Sequence, residues 1–513
     1  MGKNIDLNGE DYTDFNKYYF LKILETRICK VIIVVVGLLW FFAGLEIYAQ
    51  EVSFSGAKKA ANTWLANTAF YMNYQVKGMH NIKNKKGEML AYRFDLQPHG
   101  YLVLTADQSL PPVVAYSFTG NFSIADHKAN PLEEILIQDI KARLAHLPDM
   151  EYKTKEDNRY QWNSLINDIL QKRTFEQWPP QGSTSTGGWL ETNWKQSSPY
   201  NNLCPLDEVT GMRSVAGCPA IALAMIINYQ KNLNGTQFSD DDDYYHNYSG
   251  RQYWIDNDSH EMDFPSFPVL NEYIDSIAVK FPAYIPLNTD EIAALIFSCG
   301  VAAHQVYTSS VSGTFGVNQA YDAYLRFGYS EALLMYDSDT SFYTHMKNNM
   351  MDGMPVHLAV LSSTGQGGHN VVTDGYNTDE YYHLNFGWGG TYNGWYLLPD
   401  EIPYNLTIIE GAVMDIGISH VGMNETTSED NSILTVYPNP SSGQVNICVE
   451  LSRPGNIQIE VRDINGRLVR KIYTGWLNKG GQTFVWQADV SDGIYYIYIS
   501  TGKTRLTKKI IIR

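Results

Sequence analysis

Two residue types far apart in this chain, a cysteine at the start of an apolar run and a histidine after a glycine-rich approach, are placed to do nucleophilic chemistry. Cys218 stands in VAGCPAIALAMIINYQ. Gly217 ends an extended stretch, Pro219 suits a first helical turn, and Ile221, Leu223, Met225 and Ile226 continue as a buried helix. A thiol at a helix N-terminus meets unpaired N–H groups and the positive end of the macrodipole, which favour the thiolate that attacks carbonyl carbon. Taken alone, such a cysteine also fits a small packed hydrophobe. His369 stands in STGQGGHNVVTDGYN, where the glycines let a substrate backbone come close. It is the candidate general base and acid.

The elements that position His369 read as a hairpin, HNVVTDG followed by EYYHLNFGW. With the turn centred on Asn377, His369 faces Asn385 across the pair. Opposed Cβ atoms lie about 4.5–5.5 Å apart, so Asn385 is expected to orient the imidazole. The same register sets His383 opposite Val371, as a competing base without the glycine approach. Upstream, Gln196 in NWKQSSPYNNLCP offers an amide that, with the Cys218 N–H, would form an oxyanion hole; a turn contact is its other reading. Trp388, in FGWGG, either shields the His–Asn hydrogen bond or packs. His304 and His357 sit in apolar runs and read as packed core. His80, His99, His127 and His146 read as surface or turn residues.

No CxxC or Cys/His cluster has metal spacing, so neither a metal nor a cofactor is expected. The acidic run Asp240–Asp243 lacks the glycine turn of a calcium loop and reads as solvated. Five cysteines in 513 residues are too few for a disulfide scaffold, and the pairing of Cys204, Cys299 and Cys448 stays open. A net charge of −17 argues against a nucleic-acid partner. Lys503, Arg505, Lys508, Lys509 and Arg513 read as a solvated edge of a last strand.

Composition shifts divide the chain. Residues 1–49 read as a signal peptide, with Arg27 and Lys30 before the apolar Val31–Leu45 and a cut after Ala49. An uncleaved anchor is the alternative. Residues 50–177 form a first domain, with a helix over Ala57–Tyr71, strands MLAYRFDL and GYLVLTAD, and helices near Leu132–Leu147 and Tyr160–Lys172. Residues 178–189, WPPQGSTSTGGW, read as an exposed linker open to cleavage. Residues 190–422 hold the candidate site. A polar linker at 423–431 precedes residues 432–513, whose period-two strings QVNICVEL, NIQIEVRD, TFVWQAD, GIYYIYIS and RLTKKIII predict a small antiparallel β-sandwich.

Three ordered motifs, WKQSSPYNNLCP, GCPAIALAMIINY and GGHNVVTDGY with HLNFGWGG, resemble the streptopain family of papain-like cysteine peptidases. The resemblance implies an α+β fold, with a papain-like catalytic domain between an α+β propeptide and the sandwich. It also implies Cys218 as nucleophile, His369 as base and acid, Gln196 as oxyanion donor, Asn385 as orienter and Trp388 as the active-site tryptophan. Pro219 and Phe386 depart from the usual residues without removing a needed group. FDLQPHGYLVLTAD and PPVVAYSFTG resemble the inhibitory propeptide of that family, implying an intramolecular inhibitor. VYPNPSSGQV, VRDINGRLV and SDGIYYIYISTGKTRLTKKIIIR resemble the type IX sorting domain of Bacteroidetes exported proteins. The implied protein is a secreted or surface endopeptidase of a Gram-negative bacterium, made as a zymogen, with extracellular proteins as substrates and the secretion machinery as partner. A catalytically silent surface binding protein is the competing class.

Overall fold

The computed structural model describes residues 51–68, 74–122, 130–169, 175–361, 368–398, 409–417, 433–451, 453–463, 468–500 and 505–512. The signal-peptide reading of residues 1–49 and the linker at 423–431 lie outside them.

Ala57, Ala60, Ala61, Trp64 and Leu65 recur at helical spacing, and they form the buried stripe of α1 (Phe54–Thr68). That stripe packs with Trp162 and Leu165 of α3 (Tyr152–Ile166). The helix expected near Tyr160–Lys172 thus begins at Tyr152. α2 (Pro131–His146) starts with Asn130 as its cap, the side chain accepting from the Glu133 N–H at 3.2 Å. Four antiparallel strands complete the region: β1 (Gln75–Lys83), β2 (Met89–Gln97), β3 (Tyr101–Thr105) and β4 (Val113–Ser117). Every residue of β3 and β4 is buried, because α1 and α3 cover one face and α2 the other.

Those strands do not form a separate sheet. β4 pairs with β12 (Gly394–Leu397), Tyr116 opposite Trp395 and Ala115 opposite Tyr396. From β12 the sheet continues through β11 (Tyr381–Asn385), β10 (Gly368–Asn377), β9 (Val356–Leu361) and β13 (Ile409–Met414) to β8 (Leu333–Tyr336). With β5 (Gln177–Trp178) beside β10, one 11-stranded antiparallel sheet spans both regions. Its core mixes them too: Leu132, Leu136 and Ile140 share a cluster with Val371, Leu384 and Phe386. Against the central strands lies α4 (Cys218–Gln230), the helix read from the sequence. Its residues 219–227 are all buried, among α5 (Phe267–Lys280), α6 (Thr289–Ala302) and α7 (Val317–Arg326).

The linker 178–189 is less exposed than its composition suggested. Gln181, Gly182 and Ser185 face solvent, but Thr186, Gly188 and Trp189 are buried. The reason is hydrogen bonding. The Trp189 N–H donates to the Asp374 carbonyl at 2.6 Å, its indole N–H to the Met350 carbonyl at 2.8 Å, and the Leu190 N–H to the Asp374 carboxylate at 3.0 Å.

The last region is a sandwich of a three-stranded sheet, β14 (Ile433–Tyr437), β15 (Gln444–Leu451) and β18 (Gly480–Gln487), and a four-stranded one. The latter holds β16 (Gly455–Asp463), β17 (Leu468–Leu477), β19 (Gly493–Ser500) and β20 (Arg505–Ile512). Alternating residues Val445, Ile447 and Val449 meet Ile457, Ile459 and Val461 between the sheets. Its final strand is not a solvated edge throughout. Lys508 pairs with Asp352 at 2.8 Å, and the Lys509 ammonium sits 5.7 Å from the Tyr229 ring centre near the end of α4.

Candidate active site

Cys218 opens α4, directly after Gly217. Gly217 has φ +83°, and a Cβ there would overlap the amide of buried Gln305, which donates to the Ala216 carbonyl at 2.8 Å. Only glycine fits both demands, so the turn that presents the thiol is fixed from behind. Gln196 joins the same turn: the Ala216 N–H donates to its carbonyl at 2.9 Å. The segment after Gln305 flanks it as well, the Val215 N–H donating to the Thr308 carbonyl at 3.0 Å.

Opposite the thiol runs the start of β10. Its Asn370 N–H donates to the Cys218 sulfur at 3.4 Å, and the Asn370 side chain also acts to draw the thiol's pKa down. His369, one residue earlier, lies against Phe386 (ring centres 6.0 Å apart) and meets Trp388 edge to face at 5.0 Å. Trp388 thus packs beside the imidazole. The imidazole bonds the Phe386 backbone, while its Nε2 is buried with no hydrogen-bond partner among the described residues.

The hairpin register differs from the expected one. Val372, not His369, faces Asn385, and His383 faces Gly375 rather than Val371. The turn is centred two residues later, Tyr376 opposing Tyr382, and an irregularity at Asp374 shifts the ladder once more. His369 instead opposes Val360 of β9. Asn385 is spent elsewhere: its amide donates to the Thr192 carbonyl at 2.9 Å and its oxygen accepts from the Gly387 N–H at 3.1 Å. The group that steadies the imidazole is the Phe386 backbone, which no side-chain pattern announces.

His383 is no competing base. It is buried and bonded to Asp374 at 2.6 Å, in the pair that receives the linker backbone. His304, expected in the core, is exposed and stacked on Tyr244, because it sits past the end of α6 at φ +45°. His357 is buried as expected, yet polar on both sides: Nε2 lies 2.7 Å from Asn370 Oδ1 and Nδ1 3.2 Å from the Tyr324 hydroxyl.

Burial dominates the electrostatics. It pushes the Cys218 thiol up, with the Asn370 hydrogen bonds pulling it back. It pushes His369 down to about 4, against the Phe386 hydrogen bond. Both shifts favour the neutral forms and oppose the thiolate that the helix terminus alone would favour. Among the described residues no group of three His, Cys, Asp or Glu side chains is placed to hold a metal ion. In the acidic run, Asp242 is paired with Arg326 at 2.6 Å.

Three segments of the chain match known families. Residues 194–396 match the Peptidase C10 family, residues 49–143 the Spi protease inhibitor family, and residues 435–513 the secretion system C-terminal sorting domain. The chain carries a Peptidase C10 domain, and it is a cysteine peptidase. Streptopain of Streptococcus pyogenes serotype M28 is 22% identical over 375 residues, covering 67% of this chain and 83% of that protein. The thiol protease/hemagglutinin PrtT of Porphyromonas gingivalis is 25% identical over 312 residues, covering 58% of the peptidase and 32% of the relative. Among solved structures, a prointerpain A fragment of Prevotella intermedia is 20% identical. It covers 66% of this chain and 98% of its own, with a TM-score of 0.40.

The inhibitor domain touches the peptidase domain next to these groups. The Tyr392 N–H donates to the Asn121 carbonyl at 2.9 Å, and Gly120 packs so tightly that a Cβ would overlap the Asn393 carbonyl oxygen. Asn121 and Gly120 thereby bind the loop that begins at Phe386 and carries Trp388.

Proposed function

We propose that this peptidase is an endopeptidase acting on extracellular proteins, made as a zymogen, with Cys218 as nucleophile and His369 as the proton-transfer group. As the Cys218 sulfur attacks a peptide carbonyl carbon, His369 takes the thiol proton and passes it to the departing amine; it then takes a proton from the water that cleaves the thioester and returns it to the released sulfur. The Cys218 N–H at the start of α4 and the Gln196 amide are the donors proposed for the oxyanion. The observation that carries the reading is the meeting of the α4 start with the β10 start. Asn370, next to His369, touches the Cys218 sulfur at 3.4 Å.

In this reading the first domain holds the peptidase latent until the exposed part of the linker, around Gln181–Ser185, is cut. The C-terminal domain directs export to the surface of a Gram-negative cell, or release from it. The experiment is expression of residues 50–513 beside Cys218→Ala and His369→Ala versions, with casein as substrate and a thiol probe as reporter. The wild type is expected to shorten itself and cleave casein under reducing conditions, and both variants to do neither. A wild type that never cleaves and whose Cys218 never takes the probe would favour the silent binding protein.

A further inference from the structure

Behind the thiol lies a file of polar side chains that the hydrolytic cycle above does not use. Tyr324 of α7 and His357 of β9 are both fully buried, and a buried polar group is retained at a cost unless it is bonded. The Tyr324 hydroxyl lies 3.2 Å from His357 Nδ1, and His357 Nε2 lies 2.7 Å from Asn370 Oδ1. An amide oxygen only accepts, so Nε2 carries the imidazole proton. Nδ1 is then the acceptor for the Tyr324 hydroxyl. One tautomer satisfies the whole file.

That assignment decides which end of the Asn370 amide faces the sulfur. With Oδ1 held by His357, the Nδ2 donor is the end left to act on the Cys218 thiol, beside the Asn370 N–H at 3.4 Å from the sulfur. β-Sheet geometry explains the reach. Asn370 opposes Ala359, so His357 is its diagonal neighbour on the same face of β9.

We infer that Asn370 is a positioning residue of the peptidase reaction, holding the Cys218 sulfur with two N–H donors, and that His357 and Tyr324 fix the orientation of its amide. The inference rests on Cys218 being the nucleophile. Donors aimed at sulfur stabilise the thiolate more than the thiol, so they ease transfer of the Cys218 proton to His369.

The test reads the thiolate directly. In the full chain carrying His369→Ala, which cannot process itself, iodoacetamide labelling of Cys218 is followed against pH by peptide mapping. Asn370→Ala is expected to raise the labelling midpoint by about one pH unit, and Asn370→Asp, isosteric but without the donor, by at least as much. His357→Phe is expected to shift it in the same direction, His357→Gln, which can still donate to the amide oxygen, to restore it, and Tyr324→Phe to shift it least. In the His369 enzyme after self-processing, Asn370→Ala is expected to lower kcat roughly tenfold on a peptide substrate, with KM little changed. Unchanged midpoints in the Asn370 variants, with Cys218→Ala inactive, overturn the positioning role alone. Cleavage by Cys218→Ala overturns the nucleophile assignment itself.

Discussion

At the scale of single residues, the imidazole of His369 is steadied by backbone and rings rather than by Asn385. Asn385 instead ties the start of the Trp388 loop to Thr192. Replacing it with alanine leaves the Thr192 carbonyl and the Gly387 N–H short of a partner, costing about 1–3 kcal/mol of stability. Asn385→Ala should lower kcat/KM yet leave the midpoints of the pH–rate profile in place, since no contact with the imidazole is lost. A moved midpoint would restore Asn385 to the orienting role. His357 and His369 are both held down to about 4 by burial. A base with a folded value below its unfolded one, about 6.5, binds fewer protons folded than unfolded between the two. Stability is therefore complete above pH 6.5 and falls as pH drops toward 4, and melting of the full-length Cys218→Ala chain at pH 7 and pH 5 measures it.

Cys218, His369 and Trp388 were legible because each carries its local signal: a helix start, a glycine approach, an aromatic beside glycines. Asn370 and His357 were not. They sit in apolar strand runs whose hydrophobic neighbours mask them, and what joins them is a diagonal across two strands that sequence distance hides. The register of the β10–β11 hairpin was misplaced for a related reason. Asn377 looks like a turn centre, yet it belongs to β10, its side-chain oxygen accepting from the N–H groups of Asp379 and Tyr381 across the actual turn.

At the scale of elements, the inhibitor domain holds the peptidase by a shared hydrophobic core around α2, a short strand pairing and one tight loop. Gly120 is the closest point of that loop, packed against Gly390 and Asn393. Gly120→Val puts two further methyl groups where even a Cβ overlaps carbonyl oxygen, so the loop must lift. The variant is expected to take a thiol probe at Cys218 severalfold faster than the unprocessed wild type. Equal labelling rates would show that this loop does not control access. The helices and most strands of the first domain were readable from periodicity, but their joining with the catalytic strands was not. Nothing in VVAYS tells that its partner is GWYL, some 280 residues on. The linker was misread for its composition: glycine and serine mark freedom only where the backbone has no partner, and here Asp374 supplies one.

At the scale of the whole molecule, the sorting domain rests on the far end of the helix that Cys218 begins. Burial pulls the Lys509 ammonium down to about 8, with Asp352 pulling it back up. A lysine with a folded value below its unfolded one, about 10.4, weakens the seat while charged and is relieved as pH rises from about 8. Lys509→Met, which keeps the apolar stem, is expected to raise the protection factors of the β20 amides at pH 7, and raising the pH of the wild type to 10 to do the same once the faster intrinsic exchange is divided out. Faster exchange in the variant would mean the charge holds the contact together, as Lys508 with Asp352 does.

The continuity of the sheet also shapes what is left once the first domain departs. β12 loses its neighbour β4, and the backbone donors and acceptors of Tyr396 and Trp395 on that side turn to water. On the proposed maturation, the released enzyme would carry an open β-edge flanked by two large aromatic rings, a seam onto which an extended chain of matching pattern could zip. One cut would then both uncover the site and expose an adhesive edge that the precursor keeps paired.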